Sequence, residues 1–198
     1  MEAMTTPAIE GSRRRLSGRR PEMASKLVDA VSQVIAVTGY DGLTVRAVAK
    51  AAGVSAASAY NYFASKEHLL AEVYWRRLSA LPAVEVGPKA TAGDRMRAAV
   101  MPIVTSLADE FELAAGVTTA LLAHDPDVVA VRDQVGALMA QRLHDALGPI
   151  VPDEARTPLV FMLTGGMLNA GMGYLEYAQV AEEMAKFADS MPWKKKRA

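Results

Sequence analysis

From about Glu22 to Ser190 apolar residues recur at steps of three and four, and no run alternates apolar with polar residues as a half-buried strand would. The pattern predicts an all-α fold. A first helix from about Glu22 to Val37 puts Met23, Leu27, Val31, Val34 and Ile35 on one face and ends near Gly39. Thr44, Ser55 and Ser65 each stand where a side-chain oxygen can cap the helix that follows, and the fourth helix carries a stripe of Leu69, Leu70, Val73 and Leu78. Between Leu81 and Gly93 the period fails. PAVEVGPKATAG holds two prolines and two glycines and reads as a linker where the chain changes domain.

Beyond the linker, Asp94 begins a helical stretch whose Pro102 is expected to kink or break it. Asp125-Pro126 reads as a cap followed by a proline at the first helical position, with the helix running to Leu147 and Gly148 just past its end. Thr157-Pro158 repeats the device for a helix to about Tyr177. A last helix runs from near Val180 to Ser190 and stops before Pro192. There is no internal repeat.

Composition narrows the class. The chain has 198 residues, 51% of them hydrophobic, with mean hydropathy +0.10, ample for a packed core. It has no Cys, so neither a disulfide framework nor a thiolate metal site is available. Pro21, Asp29 and Gln33 interrupt the segment after GSRRRLSGRR, which therefore lacks the apolar run of a signal peptide, and no run of about 18 uncharged apolar residues occurs elsewhere. The expectation is a cytoplasmic protein without a membrane span.

Charge changes the picture more. The formal net charge is zero, yet residues 1–80 carry 11 Lys/Arg against 7 Asp/Glu, residues 81–193 carry 7 against 15, and residues 194–197 carry four basic residues. A basic front, an acidic body and a basic tail point to a polyanion meeting one end.

That front contains VRAVAKAAGVSAASAYNYFASKEHLL, Val45 to Leu70. Thr44 to Ala52 and Ser55 to Phe63 form two short helices joined through Gly53-Val54, the outline of a helix-turn-helix. Val48, Ala49, Ala52, Val54, Ala59 and Phe63 can close a small core with the first helix. Ser55, Ala56, Ser58, Tyr60, Asn61 and Tyr62 are left mostly outward. Simple packing of the aromatics is the alternative, accepted here for Phe63. Asn61 is the best candidate base reader, because its amide can pair with adenine N6 and N7, and Ala56, Ala57 and Ser58 share its helix. Arg46 and Ser55 join the candidates for phosphate contact. The arm ahead of the first helix carries Arg13, Arg14, Arg15, Arg19 and Arg20. It can enter a minor groove or lie along phosphates, the alternative being a solvated tail. KKKR at 194–197 reads as a solvated terminus.

The stretch TVRAVAKAAGVSAASAYNYFASKEHLL, Thr44 to Leu70, resembles the DNA-binding signature of the TetR family of bacterial transcriptional regulators. The resemblance implies a tri-helical N-terminal domain, a divergent helical C-terminal domain, and a homodimer that binds operator DNA and releases it when a small molecule occupies the C-terminal domain. It further implies phosphate contacts from Thr44, Tyr60, Tyr62 and Lys66, an assignment that agrees with the affinity of helix N-termini, hydroxyls and ammonium groups for phosphate. The chain departs from the signature at Ala57, where glycine is frequent, and at Ala59, where a larger apolar residue is frequent. The domains expected are a basic arm at 1–20, a DNA-binding domain at 21–80 that includes the start of the connecting helix, a helical effector-binding and dimerisation domain at 81–193, and a basic tail at 194–198.

For the effector, Met139, Met162, Met167 and Met172 suit an adaptable apolar pocket, and Thr118, Thr119, Gln141, Asn169 and Tyr174 are candidate polar handles. LTGGMLNAGMGYLEY, Leu163 to Tyr177, is expected in a dimer-forming helix, with Gly166, Ala170, Gly171 and Tyr177 at the contact. Room for a ligand and a local kink are the other readings of its glycines. No enzyme chemistry stands out. GGMLNAGMG follows no strand, and His68, His124 and His144 have no ligand spacing, so no cofactor is expected. A DNA-binding architectural or adaptor protein without an effector remains the alternative to a ligand-responsive regulator.

Overall fold

The computed structural model describes residues 19–193. Nine α-helices account for most of them: α1 (Arg19–Gly42), α2 (Val45–Ala51), α3 (Ala56–Tyr60), α4 (Lys66–Ser79), α5 (Ala92–Thr105), α6 (Phe111–Leu121), α7 (Pro126–Leu147), α8 (Asp153–Gly171) and α9 (Tyr177–Ser190). No strand occurs among the described residues. The all-α expectation holds.

Local chemistry places most helix starts. Thr44, Ser55 and Ser65 lie in extended conformation, and each accepts the backbone N–H three residues on, from Ala47, Ser58 and His68. At Gly39, φ is 63° and ψ −179°, which breaks α1 and turns its last residues toward Leu43. Asp125 caps α7 with Pro126 in the first turn, and Gly148 follows its end.

Four boundaries depart from the sequence reading. α1 begins at Arg19, so the last two arginines of the arm are already helical, while residues 1–18 and the tail at 194–198 lie outside the described residues. α5 starts earlier, capped by Thr91 with Asp94 completing the reciprocal box, and it runs through Pro102 to Thr105. The missing N–H of Pro102 falls near the helix end, where the disruption is small. Five residues, Ser106 to Glu110, then separate α5 from α6, a helix that the uninterrupted apolar period had concealed. Finally α8 begins at Asp153 and ends at Gly171, with Pro158 inside it. Tyr177 opens α9, whose cap is the carboxylate of Glu176 in a box with Gln179.

One hydrophobic core runs from Leu27 of α1 to Ala188 of α9, and α4 joins its two ends. Leu69, Leu70, Ala71, Val73, Tyr74 and Leu78 of α4 are all buried, because the helix packs against α1 on one side and against α6 and α7 on the other. Of the linker expected between Leu81 and Gly93, Ala92 and Gly93 already belong to α5, and the rest separates α4 from α5 along the chain without separating α4 from the larger helical body. α5 and α9 form the most extensive helix pair, joined by the two-pronged Arg97–Glu182 ion pair at 2.9 Å and by the Gly93 N–H donating to Asp189 at 2.7 Å.

Polar contacts stitch α4 to its neighbours. Arg77 donates to the Ser106 carbonyl at 3.0 Å and to Ser32 at 3.1 Å, and pairs with Glu110 at 2.5 Å. Burial alone would raise the Glu110 carboxyl, but the Ser32 hydroxyl and the Arg77 guanidinium together hold it below its ordinary value. At the other end, Ser65 donates to Asp125 at 3.1 Å, so the cap of α4 is hydrogen-bonded to the cap of α7. Because each of the two residues also caps its own helix, Ser65→Ala and Asp125→Ala are each expected to lower stability by about 0.5–2 kcal/mol. Their effects should fall short of additive by about 0.5 kcal/mol or more in a double-mutant cycle. Urea unfolding of the four proteins measures this, and simple additivity would mean that the caps act alone.

Candidate nucleic-acid interface and apolar cavity

α2 and α3 meet across Gly53, whose φ of 66° lets the chain reverse within three residues. Val48, Ala49, Ala59 and Phe63 are buried beneath the pair. The opposite side presents Thr44, Arg46, Lys50, Ser55, Ala57, Tyr60 and Asn61 to solvent. Tyr60 is 53% exposed. The Asn61 amide makes no hydrogen bond among the described residues, although its backbone closes α3 on the Ser58 carbonyl at 3.1 Å. A groove between the two helices is lined by Thr44, Arg46, Ala47, Lys50, Val54 and Ala56. Lys50 belongs to this cationic edge and was not among the sequence candidates, though its spacing of four from Arg46 on one helix was a readable signal.

Several sequence candidates have their polar atoms engaged within the protein. Ser55 accepts the Ser58 N–H at 3.1 Å and donates to the Ser58 hydroxyl at 2.8 Å, so these two serines pair with each other. Ala56 and Tyr62 are half-buried, with the Tyr62 ring tilted against Phe63 at 6.5 Å. Lys66 donates to the Tyr40 carbonyl at 2.9 Å while its ammonium sits 3.9 Å from the Tyr40 ring centre. Tyr40 in turn donates to Glu67 at 2.7 Å, and burial followed by this carboxylate pushes its phenol up to about 12. Lys66 therefore clamps the end of α1 to the start of α4. Arg13, Arg14 and Arg15 lie outside the described residues, and Arg19 and Arg20 form the first turn of α1.

A second feature lies deeper. A cavity of about 200 Å³ opens between α4, α6, α7 and α8, with Tyr177 of α9 at its edge. Leu107, Ala114, Val117, Leu121, Val135 and Met139 make most of its wall, with Tyr74, Thr118, Arg132 and Tyr177 as its main polar elements. Tyr74 comes from α4, two turns past Lys66. Its hydroxyl is buried without a hydrogen-bond partner among the described residues. Burial pushes the phenols of both Tyr74 and Tyr177 up, and each stays neutral at ordinary pH. Arg132 donates to the Leu121 carbonyl at 2.9 Å and ends α6 electrostatically.

Of the expected pocket residues, Thr118, Met139 and Met167 line this cavity. The others do not. Tyr174 is 76% exposed beyond the end of α8, and Thr119 faces outward. Gln141 is exposed and donates to Asp145 at 2.7 Å, Asn169 donates to the Gly165 carbonyl at 2.7 Å, and Met162 packs into the core away from the cavity. Residue type had nominated them, but helical phase in α6, α7 and α8 decides which side chains face one space. Tyr74 was hidden because it belongs to the expected DNA-binding segment.

The residues expected at a dimer contact also turn inward. A methyl group on Gly166 would lie 2.5 Å from Val180 of α9, and one on Gly171 would lie 2.5 Å from Thr118 of α6. Ala170 is buried and Tyr177 borders the cavity. These glycines thus permit close helix approach within one chain. The outward side of α8 carries Thr157 and Phe161, with Phe161 69% exposed; Thr164 and Leu168 are exposed where they also line the cavity, and Met172 is exposed just past the helix end.

Two capped helices around a left-handed glycine, packed on a third and followed by a larger helical body with an apolar cavity, define a helix-turn-helix DNA-binding protein. The family described as bacterial regulatory proteins, tetR family, matches residues 27–73. An uncharacterized HTH-type transcriptional regulator of Mycobacterium tuberculosis is 34% identical over 188 residues, covering 91% of this chain and 88% of that one. The transcriptional repressor KstR of Rhodococcus jostii is 25% identical over 170 residues, covering 85% and 80%. The crystal structure of FadR from Bacillus subtilis in complex with stearoyl-CoA superposes with a TM-score of 0.63 at 20% identity, covering 84% and 97%. The chain belongs to the TetR family of bacterial transcriptional regulators. Among the described residues no helix is long and apolar enough to cross a membrane.

The glycine pair in α8 offers a direct check on these contacts. Gly165 has open space where a side chain would go, whereas Gly166 meets Val180. Gly165→Ala should stabilise the protein by up to about 1 kcal/mol through helix propensity. Gly166→Ala should destabilise it by about 1–3 kcal/mol through overpacking. Urea midpoints at equal slope give both numbers, and a stabilising Gly166→Ala would show that α8 and α9 are not in close contact there.

Proposed function

We propose that the protein is a ligand-responsive repressor: a homodimer that holds a pseudo-palindromic operator through α2 and α3 and releases it when a small, largely apolar molecule fills the cavity. The observation that carries this reading is the double role of α4. Its first turn clamps the end of α1, the helix on which α2 and α3 pack, through Lys66, Glu67 and Tyr40, and two turns later its Tyr74 forms part of the cavity wall. A ligand that displaces this wall shifts the reading heads, and its differential affinity for the two arrangements sets how far the equilibrium moves. Names among the relatives agree with a repressor, and the FadR structure holds an acyl-CoA. The cavity here, at about 200 Å³, suits a compact effector rather than an acyl-CoA.

On the DNA side, Thr44, Arg46, Lys50 and Tyr60 are positioned to meet phosphates, and Asn61 is the free amide at the end of α3. Lys66, with Tyr40 already engaged, can offer a phosphate only its remaining donors. Selection of bound duplexes from a random pool should enrich a two-fold symmetric site, with affinity falling steeply between about 50 and 200 mM salt. Asn61→Ala should cost about 1–3 kcal/mol on that site and relax one base pair per half-site. Lys50→Ala should weaken all sequences alike and reduce the salt slope by about 1 per subunit. Failure to enrich any symmetric motif would remove the operator-binding reading. Release of the selected duplex by a small apolar compound separates a repressor from an adaptor, which would keep its DNA under every such compound.

For the dimer, the exposed apolar residues on and just past α8 form the surface that needs covering. A homodimer through Phe161, Leu168 and Met172 accounts for it without exposing a patch to water. Phe161→Glu should convert dimer to monomer in sedimentation at micromolar concentration and weaken operator binding at least tenfold. An unchanged mass would place the subunit contact elsewhere.

A further inference from the structure

We propose that the cavity takes a compact, uncharged hydrocarbon skeleton bearing one oxygen, an alicyclic or aromatic ketone or alcohol of about eight to twelve heavy atoms, with that oxygen hydrogen-bonded to the Tyr74 hydroxyl. The inference builds on the ligand-responsive reading and names the class of ligand that reading requires.

Size comes first. A cavity of 150 Å³ in another protein takes benzene, so about 200 Å³ suits a two-ring skeleton. Length agrees, since the wall made by α6 runs from Ala114 to Leu121, about 10 Å of helix.

Polarity comes next. Tyr74 is 1% exposed, lines the cavity, and its hydroxyl finds no partner among the described residues. A buried hydroxyl without a partner pays its full desolvation, so a partner delivered by a ligand gains more than the same hydrogen bond made in water. Neighbouring groups are engaged elsewhere: Thr118 donates to the Ala114 carbonyl at 2.9 Å and is also hydrogen-bonded to Tyr177. A neutral oxygen is the group that fits. Negative charge is disfavoured at this end of the cavity, as the upward shift of both the Tyr74 and Tyr177 phenols by burial indicates. The lining cation, Arg132, lies at the far end of α6 with its guanidinium on the Leu121 and Ala123 carbonyls. A ketone can accept from Tyr74, and an alcohol can accept or donate.

The test uses the full chain, wild type and Tyr74→Phe, and four probes on one skeleton: tetralin, 2-tetralone, 2-tetralol and tetralin-2-carboxylic acid. Calorimetry gives each dissociation constant, and fluorescence anisotropy separately follows release of the selected duplex. The ketone and the alcohol should lose about 3–10-fold in affinity on Tyr74→Phe, while tetralin binds the variant at least as well as the wild type. Without ligand, the variant should melt about 2–4 °C higher, because an unpaired buried hydroxyl has been removed. Tetralin binding also reports that the variant is folded. Equal changes for ketone and tetralin, tightest binding by the acid, or no binding by any of the four would each overturn the proposal. A ketone that binds through Tyr74 yet leaves DNA bound sinks the repressor reading alone. An apolar compound that releases DNA with no dependence on Tyr74 sinks this inference alone.

Discussion

Helix α4 is buried from two sides, and the rest of the structure depends on that. Leu69, Leu70 and Leu78 are fully enclosed, because α1 covers one side of the helix while α6 and α7 cover the other. Burying a single leucine side chain is worth about 1.5–3 kcal/mol, so neither the three-helix unit nor the larger body can part from α4 without losing several times that. A helix held this way cannot move relative to one neighbour alone. Its cavity side, where Tyr74 lies, and its first turn, where Lys66 and Glu67 grip Tyr40, belong to one continuous helix.

The polar contacts along α4 work in the same direction. Ser65 is hydrogen-bonded to Asp125 at one end, and Arg77 gathers Ser32, Ser106 and Glu110 at the other. Between them Gly116 of α6 comes so close to Ile35, Tyr40 and Leu70 that an added methyl group would lie 2.8 Å from Ile35. α6 is therefore pressed directly against the hinge region of α1 and against α4 at once. It also supplies one wall of the cavity. The molecule thus has a cationic surface at one end and an apolar cavity in its body, with the tightly packed pair α4 and α6 between them. Its zero net charge conceals this division of labour, since the basic residues of the helix-turn-helix and the acidic residues of the body cancel only on paper.

Much of this was legible in the sequence, and particular residues explain why. Caps at Thr44, Ser55, Ser65 and Asp125, and the glycines at 39, 53 and 148, act within three or four residues of themselves, so reading them needs no knowledge of what lies across the core. The helix-turn-helix was readable for the same reason. α6 was missed because the turn before it contains neither Gly nor Pro and leaves the apolar period unbroken. Pro102 misled in the opposite sense, since a proline close to a helix end does little to it.

The sequence by itself determined that the chain is all helical, where most of its helices begin, and that its front third carries a DNA-reading unit, because caps, turn glycines and the three-to-four period are local properties of the chain. Tertiary structure decided which side chains share a space. Tyr74 joined the cavity and Tyr174 left it, Gly166 and Gly171 closed on their own helices while Phe161 stayed outside, and Lys66 settled on Tyr40. Each of these outcomes depends on the rotational phase and crossing of two or more helices distant in sequence, and that phase is set by the packing of the whole core rather than by any one segment.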